Sequence, residues 1–309
     1  MIELKLKDIL IRGIKICTDK TYRVNVFVEL GIYNKVPDEK YLKMLYKVYQ
    51  GKELDLDNPQ DFTEKLQWLK LYNRKDEYTM MVDKYSARQY IAQTIGEQYL
   101  IPLIDVWDDP EDIDFSKLPD RFVLKCNHNS GKGMYICKDK KALDERKVKK
   151  ELKKGLEQDY YITRREWPYK NVKRKIICEQ YMEDKQGECL QDYKFFCFNG
   201  KPRIMYVSRD AAEKPYTDFF DMDFNHLDIT MKDPNATICP EKPLNFEKMK
   251  LFSEKLSKGI PFLRVDFYEI DGKLYVGELT FFHNSGFFKV NPEYYNRKLG
   301  EWIGKLEKE

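Results

Sequence analysis

The chain has 309 residues, enough for one large domain or two ordinary ones with a sizeable core. Its 55 Lys and Arg against 52 Asp and Glu leave a net charge of +3, without the basic excess of a nucleic-acid binder. The 22 Tyr and 18 Phe exclude a disordered chain, and no apolar run reaches membrane-spanning length.

The N-terminus, MIELKLKDILIRGIKICTDK, is too polar for a secretory leader. Its Leu and Ile spacing fits a basic amphipathic helix, which could touch a membrane surface; packing on the body of the protein is the favoured reading. Residues 1–78 read as mostly helical. DEKYLKMLYKVYQGK has helical spacing and closes on Gly51. NPQDFTEKLQWLKLYNRK breaks at Asn58-Pro59 and restarts at an N-cap on Asp61 or Thr63, with Leu66, Trp68 and Leu71 as anchors. Residues 79–95 predict one further helix, starting near Asp83.

Short strands follow. YLIPLIDVW is one; RFVLKCNHNSGKGMYICKDK reads strand, glycine turn, strand. Residues 140–160 predict a charged helix whose lysines make a solvated face. In YYITRREWPYK, Arg164, Arg165 and Trp167 could meet an anionic sugar, but a surface loop is the favoured reading. KRKIICEQYM runs from a strand into an irregular segment, and QDYKFFCFNGKPRIMYVSRD is a hairpin about Asn199-Gly200. Residues 208–245 are polar and Pro-containing and read as loop-rich. FEKMKLFSEKLSKGI is an amphipathic helix. Strands and helices mix without regular βαβ alternation, which makes the fold class α+β. Seven cysteines (17, 126, 137, 178, 189, 197, 239) without a CxxC, and three scattered histidines, give neither a disulfide framework nor a zinc signature. A reduced, cytoplasmic protein is expected.

The last hairpin, RVDFYEIDGKLYVGEL, places Arg264, Asp266 and Glu278 among apolar residues. A two-residue loop at Asp271-Gly272 would pair Asp266 with Gly277 and turn Glu278 to the other face. A three-residue loop, Ile270-Asp271-Gly272, pairs Arg264 with Glu278 and Asp266 with Val276, and all three charges share one face. The second is expected. Two carboxylates on one face suit a hard cation such as Mg²⁺, although a solvated Arg-Glu pair fits this hairpin equally well. FVLKCNHNSGKG sets Lys125 at a strand end before a glycine loop able to turn backbone N–H groups toward an anion. IICEQYM carries Glu179 and Gln180 where a strand gives way to extended chain. DYKFFCFNGK places Asp192 and Lys194 on one strand face, and VDKYSAR puts Asp83 and Lys84 at a helix start. Each alone has an ordinary explanation: a hairpin turn, an exposed strand end, an amphipathic strand, a cap. Their order along the chain is less easily explained that way.

That order is the ATP-grasp layout. The chain most closely resembles the TupA-like (teichuronopeptide-biosynthesis) ATP-grasp family of bacterial surface-polysaccharide pathways. The resemblance runs from about residue 36 to 300 through NPQDFTEKLQWLKLY, MVDKYSAR, GEQYLIPLIDVW, LPDRFVLKCNHNSGKG, DYKFFCFNGKP and VDFYEIDGKLYVGELTFF. It implies two α+β subdomains gripping ATP, with a helical extension over 1–78, a first part with the lid over 79–178 and a C-terminal core over 179–309. It also implies roles. Lys84 and Lys125 contact ATP phosphates beneath a loop of Asn129, Ser130, Gly131, Lys132 and Gly133. Glu179, Gln180, Tyr181 and Met182 line the adenine pocket. Lys194 reaches the nucleotide, and Arg264 steadies the transferred phosphoryl group. Asp266 and Glu278 hold Mg²⁺. Many ATP-grasp enzymes have Asn two residues after that glutamate; here the position is Thr280, with Asn284 as a substitute. The implied activity is ATP-dependent ligation of a carboxylate to an amine through an acyl phosphate, on a small molecule or polysaccharide precursor such as a uronic acid, with ATP and Mg²⁺ as cofactors. The alternatives are a nucleotide-sugar glycosyltransferase, for which Asp221-Met222-Asp223 is the only near candidate, and a kinase on the same fold.

Overall fold

A computed structural model describes residues 13–184, 190–209 and 215–308. Most of the expected N-terminal amphipathic helix, and Cys189, lie outside these residues. No helix among the described residues is long and apolar enough to cross a membrane.

After a helical stretch over residues 13–18 the chain continues with α1 (Lys20–Glu29), α2 (Asp38–Gln50), α3 (Phe62–Tyr72) and α4 (Asp76–Val82). Helix α2 ends where expected, on a left-handed Gly51. Helix α3 starts at Asp61, which forms a capping box with Glu64. Its polar residues Gln67 and Lys70 are fully buried. The single helix expected over 79–95 is two, α4 and α5 (Ala87–Ile95), broken at Asp83. The Asp83 carboxylate accepts the Tyr85 N–H and the Ser86 hydroxyl, so it ends one helix as it prepares the next.

The chain then builds an antiparallel sheet in the order β1 (Leu103–Trp107), β4 (Ile176–Gln180), β2 (Phe122–Cys126), β3 (Met134–Cys137). Helix α6 (Glu145–Glu157) covers one face through Val148 and Leu152, which join Phe122, Leu124, Ile176 and Cys178 in a small core. Between α6 and β4 the chain passes through α7 (Tyr160–Arg164). The surface-loop reading of this segment is wrong. Arg165 is 1% exposed and takes a left-handed backbone, φ 55°. It pairs with Asp38, donates to the carbonyls of Tyr33 and Ile162, and lies 4.4 Å over the Tyr41 ring. A cation so enclosed ties this segment to the helical extension.

A six-stranded antiparallel sheet carries the rest, in the order β10 (Lys273–Thr280), β9 (Phe262–Ile270), β5 (Asp192–Phe198), β6 (Lys201–Arg209), β7 (Tyr216–Asp221), β8 (His226–Leu227). Strands β7 and β8 lie within the stretch read as loop-rich; Phe219 and Phe220 are the buried pair that holds β7 in place. Helix α8 (Phe246–Leu256) packs on this sheet, and α9 (Glu293–Ile303) packs on α3. The main core is continuous from Tyr41, Leu66 and Trp68 of the extension to Phe195, Phe196 and Val265 of the sheet.

The last hairpin departs from both registers considered. Its loop is the two residues Asp271-Gly272, both with positive φ (50° and 72°), and Lys273 pairs with Ile270. A bulge at Gly277 then resets the register, so that Val276 pairs with Phe267 but Glu278 pairs with Asp266. The shared face is as expected; the device is a bulge, and Arg264 stands opposite Thr280 instead of Glu278.

Candidate functional site

A cavity of about 400 Å³ opens between the two sheets. From the first sheet, Val123 and Lys125 of β2, Met134 and Ile136 of β3 and Glu179 of β4 reach it; Asp192, Tyr268 and Gly277 line the opposite wall. Strand alternation explains the division, because Phe122 and Leu124 point into the small core and Cys126 is buried in the same alternation. Met134 is 52% and Ile136 46% exposed, an unusual position for two large apolar neighbours unless a ligand covers them. Gln180, Tyr181 and Met182 continue the rim. Tyr181 is braced by Arg121, 4.4 Å from its ring, and Arg121 pairs with Glu183. Lys125 Nζ lies 2.6 Å from Glu179 Oε2, and Arg88 lies 3.6 Å from Glu179 Oε1. The Glu179 carboxylate thus stands between two cations.

The glycine loop after β2 has a rooted base and an exposed tip. Asn127, His128 and Asn129 are buried. Asn127 donates to Asp83 Oδ1 at 2.6 Å, and Lys84 Nζ donates to the Asn129 carbonyl at 2.7 Å. Asp83 and Lys84 therefore fasten the loop, a contact that takes one of the three donors of the Lys84 ammonium. Ser130, Gly131 and Lys132 form the exposed tip. Gly133, at φ 66°, passes so close to α6 that an added Cβ would lie 2.8 Å from the Gly155 Cα.

On the larger sheet, Lys194, Asp266 and Glu278 form a row across β5, β9 and β10. Asp266 is 2% exposed. It accepts two bonds from Arg264, both 2.7 Å, and one from Lys194 at 3.1 Å. Lys194 also lies 3.1 Å from Asp192. Burial alone would raise the Asp266 carboxyl, but Arg264 and Lys194 outweigh it and hold it below the ordinary carboxylate range. Burial would likewise lower Lys194; Asp266 and Asp192 reverse this. Two carboxylates side by side on paired strands repel unless a cation joins them. Among the described residues no three His, Cys, Asp or Glu side chains converge as a metal cage. The donor set thus fits Mg²⁺, which takes one or two carboxylates and completes its shell with water and phosphate. Thr280 Oγ1 is buried with no partner beside this row, an available oxygen. The Asn284 side chain lies on His283.

Sequence reasoning missed several neighbours of this row. Tyr160 and Tyr169, with ring centroids 4.8 Å apart, lie within the electrostatic reach of Glu278, Glu166 and Arg264; burial first, then the two carboxylates, raises both phenols against the opposing Arg264 cation. His283 Nδ1 lies 3.0 Å from Arg264 Nη1. Burial and the Arg264 cation hold that imidazole neutral. Asp221, the near candidate for a nucleotide-sugar metal motif, accepts from Asp223 N and from Asn225, closing its own turn.

No curated protein matches the chain in sequence. Among solved structures it is similar to a D-alanine–D-alanine ligase from Helicobacter pylori, with 15% identity over 81% of this chain and 70% of that one and a TM-score of 0.46. It is also similar to a D-alanine–D-alanine ligase from Bacillus anthracis complexed with ATP, with 18% identity over 65% of this chain and a TM-score of 0.38, and it spans 53% of that ligase's length. An ATP-grasp ligase, PsnB, complexed with a minimal precursor, is similar at 11% identity over 71% of this chain and 59% of that one, with a TM-score of 0.37. These scores are too low to bear on chemistry. The model of the TupA-like ATP-grasp family, by contrast, matches residues 64–304, which run from α3 through both sheets to the end of α9. With most of its length matched, this chain belongs to the TupA-like ATP-grasp family.

Proposed function

We propose that the protein is an ATP-dependent ligase that joins a carboxylate to an amine through an acyl phosphate, acting on a polysaccharide precursor such as a uronic acid. The observation that carries the reading is the row Lys194–Asp266–Glu278 with Arg264, on the sheet whose Asp192 and Tyr268 line one wall of the cavity while Lys125 and Glu179 line the other. Phosphoryl transfer asks mainly for charge neutralisation and alignment, and this arrangement offers three charged groups, Lys194, Arg264 and Asp266, already fixed by one another, with Glu278 beside them.

In this reading the adenine lies between Met134, Ile136 and the chain at Gln180, Tyr181 and Met182, with Glu179 and Gln180 meeting its polar edge. Lys125 and Lys194 approach the phosphates from opposite sheets. The tip of the loop, Asn129 to Gly133, closes over them while Lys84 holds its root. Asp266 and Glu278, with Thr280 or Asn284 as a further contact, would hold Mg²⁺, which when bound offsets charge on the phosphate oxygens. Arg264 steadies the phosphoryl group as the substrate carboxylate attacks it and ADP departs. The amine then attacks the acyl carbon, phosphate leaves, and the ammonium proton passes to phosphate or solvent. The lid sheet and its loop exclude water from the acyl phosphate.

The test is product analysis with Mg²⁺·ATP and a panel of uronic and amino acids. Release of ADP and phosphate that requires both a carboxylate and an amine supports the ligase. A stable phosphorylated product formed without amine marks a kinase. Turnover of a UDP- or GDP-sugar instead of ATP would return the chain to the glycosyltransferase alternative.

A further inference from the structure

Three consecutive residues after the carboxylate hairpin are left-handed: Asn284 (φ 49°), Ser285 (φ 53°) and Gly286 (φ 66°). Asn and above all Ser are disfavoured there, and such a turn persists only where its surroundings fix it. Here α3 and the segment after α7 do so. Gln67 Nε2 donates to the carbonyls of Ser285 (3.1 Å) and Gly286 (2.9 Å). Lys70 Nζ donates to Ser285 O at 2.7 Å, to Arg164 O at 3.0 Å and to Gln67 Oε1 at 3.0 Å. The Ser285 hydroxyl donates to Glu166 Oε1 at 2.5 Å. A Cβ on Gly286 would fall 2.4 Å from Gln67 Nε2, so the turn lies directly on the helix. Gln67 and Lys70 are 0% and Glu166 3% exposed.

The turn in turn holds His283. Arg264 can only donate, so His283 Nδ1 accepts, and the neutral ring carries its hydrogen on Nε2. Asn284 Nδ2 is placed 2.9 Å from Nε2; with a hydrogen on Nε2 the amide must be turned about so that its oxygen accepts there. A continuous path therefore runs from α3 through Ser285, Asn284 and His283 to Arg264 and Asp266. A buried ion pair is a poor source of stability compared with apolar residues of the same volume. Its use here is better sought in position.

We propose that Gln67, Lys70 and Glu166 are positioning residues: they hold the left-handed turn and, through it, keep His283 against Arg264. The consequence for catalysis rests on the reading of Arg264 given above, and makes α3 of the helical extension a working part of the site. The charges facing His283 are Arg264, Asp266, Lys194 and Lys232.

The chain has three histidines, so ¹⁵N-histidine labelling of the full protein gives three imidazole signals, with His128 and His226 as internal reports on the fold. In the wild type, His283 should show a bare Nδ1 and a protonated Nε2. In Ser285→Ala and in Lys70→Met, His283 should shift or broaden, while His128 and His226 keep their signals and the Mg²⁺·ADP thermal shift is unchanged. Unaltered His283 signals in Ser285→Ala, which loses only a hydroxyl and is the variant surest to fold, would overturn the proposal. So would loss of all three signals' dispersion in Ser285→Ala, since the turn would then serve the fold as a whole. Absence of any Mg²⁺·ADP shift in the wild type would count against the ligase reading alone; the His283 result stands apart from it.

Discussion

Gly277 should tolerate no side chain. Its backbone is not left-handed, so space alone decides. A Cβ there would lie 2.7 Å from Tyr268 Cε2 and 3.3 Å from Cζ. The ring cannot easily yield, because its hydroxyl is bonded to Asp192, which is itself paired with Lys194. Overpacking of this kind costs about 1–3 kcal/mol. The gain from restricting the unfolded chain on Gly→Ala replacement is only about 0.4–1 kcal/mol, so the loss wins. The midpoints leave a net loss of about 1.3 kcal/mol, so at about 2–3 °C per kcal/mol for a chain this long Gly277→Ala should lower Tm by about 3–4 °C. The diagnostic result is specific: the bulge is what sets Glu278 beside Asp266, so relief by sliding β10 would turn Glu278 to the other face. Thermal melts with ADP, with and without Mg²⁺, read both effects, and the variant should lose the Mg²⁺-dependent part. If Gly277→Ala melts within about 1 °C of wild type, well under the shift expected from overpacking, and keeps its Mg²⁺ dependence, the bulge is not what aligns the carboxylates.

Lys125→Met should weaken Mg²⁺·ADP binding by about 10- to 100-fold, the worth of about 1.5–3 kcal/mol for a hydrogen bond to a charged group; calorimetric titration measures it, and an unchanged Kd would remove Lys125 from the phosphates. Asp266 has a depressed carboxyl, so its contribution to stability is present above its unfolded pKa of about 3.9 and is lost as pH falls through the lower folded value. The stability gap between wild type and Asp266→Asn should therefore be constant at neutral pH and narrow only in acid below that range, as urea unfolding at a series of pH values would show. Gly133→Ala should destabilise the lid, because its Cβ would meet Cys126 Sγ at 2.5 Å on a backbone at φ 66°; faster hydrogen exchange in β2, β3 and α6, but not in the larger sheet, is the expected pattern.

Much of this was legible in the sequence because local chemistry carried it. Asp61 with Glu64 marks the start of α3, and Asn199-Gly200 and Asp271-Gly272 mark two hairpins whose turns need positive φ. The apolar run before the glycine loop marked a strand with Lys125 near its end, which is β2. What failed was nonlocal. The hairpin register went wrong because a bulge adds one residue in mid-strand, and the only local sign was a glycine inside β10. The segment of Arg165 and Glu166 read as a surface loop because their partners lie far off in sequence, Arg165 on Asp38 and Glu166 on Ser285. Strand β7 hid in a stretch of polar composition, although Phe219-Phe220 was its signal. Met134 and Ile136 passed as ordinary strand residues; their meaning as a cavity wall emerges only when the two sheets face each other.

The central claim is that an adenine nucleotide with Mg²⁺ occupies the cleft between the sheets. A thermal-shift comparison tests it most directly: Mg²⁺ with ADP or a non-hydrolysable ATP analogue, against Mn²⁺ with UDP or GDP. A ligand at 100 times its Kd stabilises by about 2.7 kcal/mol, which is about 5 °C or more here. A Mg²⁺-dependent shift with the adenine nucleotides that disappears in Asp266→Asn is the predicted result. A shift with UDP or GDP alone, or an adenine shift indifferent to Mg²⁺ and to Asp266, would contradict the account.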